Sequence, residues 1–407
     1  MPRDRAPMKR RSLLKVAALS MSTSFASPNR KPHVAVVGAG AFGGWTALHL
    51  LRSGAKVTLL DSWGPGNSRA SSGGETRIIR ATYGPKRQYV TMAARALQLW
   101  KDHEKRWNCR LFHRTGMLWM AGGADELERS SLPLLRQAGV EFDELTAAQA
   151  AKRFPQINFD NVKWAIFEKE SGFLTARRNC QTVLDHFLAE GGEYRETSVT
   201  PGALKGREIG AVALSDGSRL SADQYVFACG PWLGKLFPDV VGDLIRPTRQ
   251  EIFFFGVPAG DLRYSESQMP AWIDHGQEHL YYGVPGNEWR GFKAGDDTRG
   301  SNFDPTNSDR TPTPEAIRNV REHVEFRFPG LKGAPLVEAR VCQYENTPDE
   351  NFIMDRHPAA DNAWLLGGGS GHGYKHGPAV GELMAALVLG KRPLDPYFGL
   401  ARFKTRE

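Results

Sequence analysis

The 407-residue sequence is poor in cysteine, and its four (Cys109, Cys180, Cys229 and Cys342) lie far apart. That scatter excludes a metal knuckle and a disulfide-stapled scaffold. The chain also lacks a run of the ~20 apolar residues that a membrane span requires, and no internal repeat or low-complexity tract follows the first 26 residues. A stripe of Lys and Arg interleaved with aromatics is missing too, so nucleic acid is not an expected partner. The formal charge of +8 does not reverse this, because residues 1–26 hold six basic side chains against Asp4 and leave a charge of +3 for the remainder. The length itself allows two domains with a substantial core.

The N-terminal stretch Lys9-Arg10-Arg11-Ser12-Leu13-Leu14-Lys15 sets paired arginines before a modestly apolar run, Val16–Phe25. This is similar to a twin-arginine export signal. Ser24-Phe25-Ala26 supplies the small residues of a cleavage site. Residues 1–26 are therefore expected to be a signal peptide and the protein to be periplasmic or extracellular.

The most informative stretch is His33–Asp61. Val34, Val36 and Val37 read as a buried parallel strand. Gly38, Gly40 and Gly43 follow in a G-x-G-x-x-G pattern. An apolar helix from about Phe42 to Leu51 is closed by Gly54, and a strand over Lys56–Leu60 delivers Asp61. The chemistry needs this order. Gly38 permits a tight turn, Gly40 lets backbone approach a pyrophosphate, and Gly43 lets helix and strand pack closely. The helix N-terminus faces phosphates, while Asp61 accepts hydrogen bonds from a ribose. This stretch predicts a dinucleotide site and leaves NAD and FAD both open.

Downstream, Ser62–Glu75 is a Gly/Ser loop in which Ser71 and Ser72 offer hydroxyls to a phosphate. Arg77 and Arg80 follow; they would share a face if this piece were helical, and such a pair suits a carboxylate clamp. Gln88–Trp107 has helical periodicity. Leu111–Asn161, with short strands and a helix near Ser131–Ala138, reads as an excursion into a second domain. Ala176–Glu190 reads as a helix, Tyr194–Val199 as a strand, and Asp216-Gly217 as a hairpin turn. Val226–Trp232 is a buried strand entering a turn at Gly230. Ile252–Gly295 suggests an antiparallel sheet roofing a substrate pocket, from the runs Ile252–Val257, His279–Val284 and Trp289–Lys293. Pro314–Phe328 is a helix capped by Thr313, and Leu336–Tyr344 is a strand carrying Cys342. Finally, a glycine-rich turn containing Gly371 and Gly373 precedes a helix over Gly377–Leu389. The positive end of that helix suits the anionic edge of reduced flavin. A nicotinamide has no such need, and the two glycine turns favour FAD.

From about Val34 to Pro393 the sequence resembles the FAD-dependent amine oxidases of the monomeric sarcosine oxidase and N-methyltryptophan oxidase group, within the D-amino-acid-oxidase-like fold. The resemblance rests on Gly38-Ala39-Gly40 through Asp61, Thr76-Arg77-Ile78-Ile79-Arg80, Tyr281-Tyr282-Gly283 and Val341-Cys342-Gln343-Tyr344. It continues in Phe352-Ile353-Met354-Asp355-Arg356-His357-Pro358 and Gly369-Ser370-Gly371-His372-Gly373-Tyr374-Lys375. It implies a thioether from Cys342 to the flavin, oxygen activation by Lys293, and a substrate-carboxylate pair in Arg80 and Lys375. It also implies that Arg77 lies beside the flavin and Tyr282 lines the substrate pocket. Two family histidines are replaced, by Asp297 and Gly73. The acid at Asp297 leads us to expect a substrate with a second amine or a larger polar group.

The resulting expectation is an α/β fold with a Rossmann-like FAD-binding domain from segments 32–110, 172–240 and 343–400, and an antiparallel-sheet substrate domain from 111–171 and 241–342. Cofactor contacts are expected from Gly38, Gly40, Gly43, Asp61, Ser71, Ser72, Val199, Gly230, Cys342, Gly371, Gly373 and Lys375; no metal is expected. The expected activity is oxidation of the C–N bond of a secondary amino acid or related amine, with O₂ reduced to H₂O₂ by a protein that is monomeric. The rivals are a dehydrogenase of the same fold passing electrons to a quinone or carrier protein, a non-catalytic envelope flavoprotein, and an NAD enzyme, which leaves Cys342 and the C-terminal glycine turn without a role.

Overall fold

The computed structural model describes residues 30–403, Trp289 excepted, so the expected export signal lies outside the described residues. The strand His33–Val37 is apolar and buried, and it pairs in parallel with Lys56–Asp61 on one side and Gln224–Phe227 on the other. Sheet order continues outward to Glu193–Glu196 at one edge and to Ala363–Gly367 then Ile353–Arg356 at the other. The first five of these strands are parallel and the last is antiparallel. Strands covered on both faces need unbroken apolar sequence, which Val34–Val37 and Ala363–Leu366 supply. One face carries the helix Ala41–Arg52, against which the helices Ala176–Ala189 and Gly377–Val388 pack. Trp45 and Leu48 are buried in the core beneath it.

The second large sheet has eight strands drawn from residues 117–168 and 246–346. Its order is Leu336–Asn346, Arg246–Phe255, Phe292–Asp296, Leu280–Val284, Ala271–His275, Met117–Ala121, Trp164–Glu168 and Phe142–Thr146. All pairs are antiparallel except one: Ala271–His275 runs parallel to Met117–Ala121. The two strands come from different passages of the chain and no hairpin joins them, so nothing constrains that pair to be antiparallel. The strand bearing Cys342 runs unbroken to Asn346.

The segment around the paired arginines is extended. Arg77–Ile79 is a strand held against Gly172–Leu174, where β-branched Ile78 and Ile79 fit a pleated surface better than a helix. The arginines consequently do not share a face. Other local signals act as their residue types dictate. Thr313 accepts a hydrogen bond from the Ala316 amide at the start of the helix Pro314–Arg327, and Gly54 takes φ +97° after the helix Ala41–Arg52. The strand expected over Trp289–Lys293 begins only at Phe292, after Gly291 turns at φ +92°.

Candidate functional site

A cleft with about 1450 Å³ of open space lies at the C-terminal ends of the central parallel strands, where an open α/β sheet binds ligands. Gly38 turns with φ +107°, and a Cβ there would stand 2.3 Å from the Ala228 carbonyl oxygen. Gly43 lies behind this turn and outside the cleft lining; a Cβ on it would stand 1.8 Å from the Gly38 carbonyl oxygen. These glycines thus set the closeness of strand, turn and helix. Asp61 accepts from the amides of Ala39 (2.8 Å) and Trp63 (2.9 Å). Burial holds its carboxyl above the usual range despite those bonds. Ser72 reaches the start of the helix, where its Oγ accepts from the Ala41 amide at 3.1 Å.

Of the residues expected to touch the cofactor, Gly38, Gly40, Asp61, Ser71, Ser72, Val199, Gly230, Gly371 and Gly373 all line this cleft, and so does Arg77. Val199 arrives through the small sheet that pairs Val199–Thr200 with Val212–Leu214. Gly369, Gly371 and Gly373 reach the cleft, while the single turn Tyr374–His376 separates them from the helix Gly377–Val388. Cys342, Lys293, Tyr282, Arg80 and Lys375 are not among the cleft-lining residues but form the layer beside it, joined to it through Arg77 and Tyr344.

Cations dominate that layer. Arg77 donates to the carbonyls of Thr76 (2.8 Å) and Ser71 (2.7 Å), and its Nη2 lies 3.6 Å from the Cys342 sulfur. Lys293, 2% exposed, donates to the same Thr76 carbonyl at 2.9 Å and sits 5.5 Å from the centre of the Tyr282 ring. Burial, and then Arg77 beside it, pushes the Lys293 ammonium well below the usual lysine range. Lys375, 5% exposed, donates to the His372 carbonyl at 2.8 Å and is lowered likewise by burial and by Arg80. Arg80 donates to the Thr82 carbonyl and stacks over Tyr83 and Trp119, at 4.6 and 4.8 Å from the ring centres. Among the described residues, none of these four cations has a carboxylate within ion-pair distance, although 30 other pairs are formed. A charge taken out of water without a counter-charge is costly, so an anion bound here from outside the chain would be stabilised by this layer.

Three participants escape a reading of the sequence. Glu345 lines the cleft, 7% exposed, and takes donors from the Gly369 amide (3.2 Å) and the Ser71 hydroxyl (3.3 Å); burial raises its carboxyl to about 7. Tyr344 lies on the opposite face of the same strand and donates to Asp297 Oδ1 at 2.7 Å. Arg299 pairs with Asp297 Oδ2 at 3.3 Å, so the acid expected to await a second amine already has a cation. Strand alternation from Cys342 was the available signal: it puts Tyr344 on the cysteine's face and Glu345 on the other. Cys180 contacts the Tyr374 hydroxyl and burial raises it to about 11, while Cys229 contacts the Val37 carbonyl and is raised further.

Both the dinucleotide turn and the anion-seeking layer fit a flavin dinucleotide. The family model described as DAO, FAD dependent oxidoreductase, matches residues 33–387. Monomeric sarcosine oxidase of Arthrobacter sp. (strain TE1826) is 33% identical over 372 residues, covering 89% of this chain and 94% of that protein. N-methyl-L-tryptophan oxidase of Salmonella heidelberg (strain SL476) is 27% identical, covering 90% and 98%. In fold, the chain is similar to the crystal structure of L-proline dehydrogenase from P. horikoshii, with a TM-score of 0.80 at 22% identity over 92% of this chain and 98% of that one. A family match that spans both sheets and the cleft between their segments makes this chain a member of the FAD dependent oxidoreductase family.

Proposed function

We propose that the enzyme oxidises the C–N bond of a secondary amino acid or related amine and uses O₂ as the electron acceptor, giving H₂O₂ and an imine that hydrolyses. The observation that carries this reading is a set of four cations without ion pairs among the described residues, the buried Lys293 and Lys375 and the half-buried Arg77 and Arg80. Arg80 and Lys375 supply a fork and a point charge for a substrate carboxylate. Both lean on Tyr83, whose ring centre is 4.6 Å from the Arg80 guanidinium and 5.2 Å from the Lys375 ammonium. FAD held in this cleft would supply the hydride acceptor and the chemistry by which electrons reach oxygen. Lys293 and Arg77 share the Thr76 carbonyl and hold positive charge where reduced oxygen species need it. Tyr282, its ring centre 5.5 Å from the Lys293 ammonium, would line the substrate pocket beside it. The relatives named above, an N-methyl amino acid oxidase among them, support a substrate of this class.

In this reading Cys342 forms a thioether to the flavin, supported by its place in the family motif and by the Arg77 guanidinium against its sulfur. The cofactor-holding segments are 32–110, 172–240 and 343–400, with 111–171 and 241–342 forming the substrate side. Residues 1–26 direct export by the twin-arginine route.

The test is an anaerobic spectrum of the yellow protein mixed with N-methyl and cyclic amino acids, followed by air. Bleaching and rapid recolouring are expected, with Lys293→Met recolouring more slowly by about two orders of magnitude or more while bleaching is retained. Recolouring only with a quinone or carrier protein would replace the oxidase with a dehydrogenase. No bleaching by any member of the panel would sink the amine reading. Yellow colour that stays with the denatured chain, and leaves it in Cys342→Ala, is the expected sign of the thioether.

A further inference from the structure

Resting on the amine-oxidation reading, we propose that Asp297, acting through the Tyr344 hydroxyl, takes the proton that the substrate ammonium loses before it is oxidised. An alkylammonium resembles a lysine, with a pKa of about 10, so it arrives charged at neutral pH. A carbon next to a cationic nitrogen has no lone pair to assist hydride departure, and the proton must leave first. The pocket that binds the carboxylate is made of cations, and the sequence motifs supply no base.

The acids near the site are few. Glu168 is fully engaged, accepting from the amides of Ala81 and Thr82 and from the hydroxyls of Thr82 and Ser171. Glu345 lines the cofactor cleft as well, but its carboxyl is taken up by the Ser71 hydroxyl and the Gly369 amide on the other side of the strand from Asp297. His372 has both ring nitrogens occupied, at the Tyr83 hydroxyl and the Glu350 carbonyl. Asp297 is different. Its side chain keeps 31% accessibility, and it accepts from the Tyr344 phenol at 2.7 Å. Because that phenol gives its hydrogen to Asp297, its oxygen has only lone pairs to offer its neighbours, of which the Tyr282 phenol takes one and leaves the other. Tyr344 also lines the cofactor cleft, so an N–H donor bound there would meet an acceptor.

The charges around Asp297 suit a proton that must be taken and then released. Burial favours the neutral acid; Arg299 beside it, the Tyr344 bond and Arg80 favour the carboxylate. Lys375 faces the same space, as do the Tyr83 and Tyr282 phenols. Arg299 is itself fixed, donating to Glu350 (2.9 Å) and the Ser370 carbonyl (3.2 Å), so the Asp297 carboxylate is held in place. Tyr344 relays rather than stores the charge, since burial and Asp297 push its phenol well above the usual tyrosine range. In the transfer, the substrate N–H bond breaks as a Tyr344 O–H bond forms, and the original Tyr344 O–H breaks as the proton joins Asp297 Oδ1. No electrons change hands. Asp297 returns the proton to solvent when product leaves.

The experiment is the rate of anaerobic bleaching of the holoenzyme by sarcosine and by L-proline across about pH 6–10, for wild type, Asp297→Asn and Asp297→Glu. The Asn variant preserves shape and still accepts from Tyr344, and its flavin spectrum reports an intact fold. It is expected to lose rate about tenfold for each unit below the pKa of the free amine, while its alkaline plateau stays within about threefold of wild type. The Glu variant is expected to restore activity at neutral pH. An unchanged acid limb in Asp297→Asn, or an equal loss at every pH, overturns the assignment while leaving amine oxidation standing. A limb that moves in Lys375→Met but not in Asp297→Asn overturns it in favour of the lysine. Failure of wild type to bleach with any amine removes the amine reading and this assignment together.

Discussion

Glu345 shows how much chemistry a single side chain can carry in this cleft. Its carboxyl is nearly buried, has two long hydrogen bonds, and is raised to about 7 by burial. An unfolded glutamate titrates near 4.3, so the folded chain binds the proton more tightly than the unfolded one. The stabilising contribution is therefore complete below about pH 4 and is lost as pH rises towards 7, amounting to about 4 kcal/mol at most. We expect the thermal midpoint of flavin-free protein to fall between about pH 5 and pH 7.5, and that of Glu345→Gln to stay flatter over the same interval. Parallel curves for the two proteins would show that the carboxyl is ionised throughout. At this scale the sequence was an uneven guide. Cys342 and Arg77 stand in recognisable motifs and, with Lys293, meet in space, whereas Glu345, Tyr344 and Arg299 owe their roles to neighbours distant along the chain.

At the scale of elements, local chemistry was legible wherever one residue type had one reason to be there. The helix Ala41–Arg52 and the strands flanking it fall within a residue or two of expectation because glycine turn, apolar run and Gly54 agree. The strand Arg77–Ile79 was ambiguous because its partner, Gly172–Leu174, lies far away along the chain. The parallel pair in the eight-stranded sheet was invisible for the same reason. Adjacent glycines of the first helix separate packing from mere composition. Gly43→Ala would place a methyl 1.8 Å from the Gly38 carbonyl oxygen, whereas Gly44→Ala meets nothing closer than Val183 at 3.5 Å. The first is expected to lose about 3 kcal/mol or more and most of its flavin. The second should change stability by about 1 kcal/mol or less, with helix propensity in its favour. Thermal midpoints and the visible absorbance of the purified proteins measure both, and equal behaviour of the pair would refute the packing argument.

On the scale of the whole molecule, the site joins parts of the chain that no local signal links. Its cations come from residues 77–80, 293 and 375, and its cleft from stretches around 38–42, 61–77, 197–236 and 344–374. Arg77, Arg80, Lys293 and Lys375 have no ion-pair carboxylate among the described residues, so bound anions would offset a repulsion that folding leaves in place. A ligand that binds only the folded chain stabilises it by RT ln(1 + [L]/Kd), about 3–4 kcal/mol at a hundred to a thousand times Kd. The gain should not be spread evenly. The loop 62–76 and the turn 368–373 carry few backbone bonds of their own and meet across the cleft through Ser71, Glu345 and Gly369. The eight-stranded sheet has its own core of Phe253, Trp272, Phe292 and Phe328. Flavin-free protein, from riboflavin-limited cells, is therefore expected to melt several degrees lower. Amide hydrogen exchange should quicken in residues 61–77 and 368–375 and stay unchanged in the strands Ala271–His275 and Phe292–Asp296. Uniform quickening would mean that the cofactor supports the entire fold. No change would mean that the cleft is fully formed without it, with the unpaired cations tolerated by the packing alone.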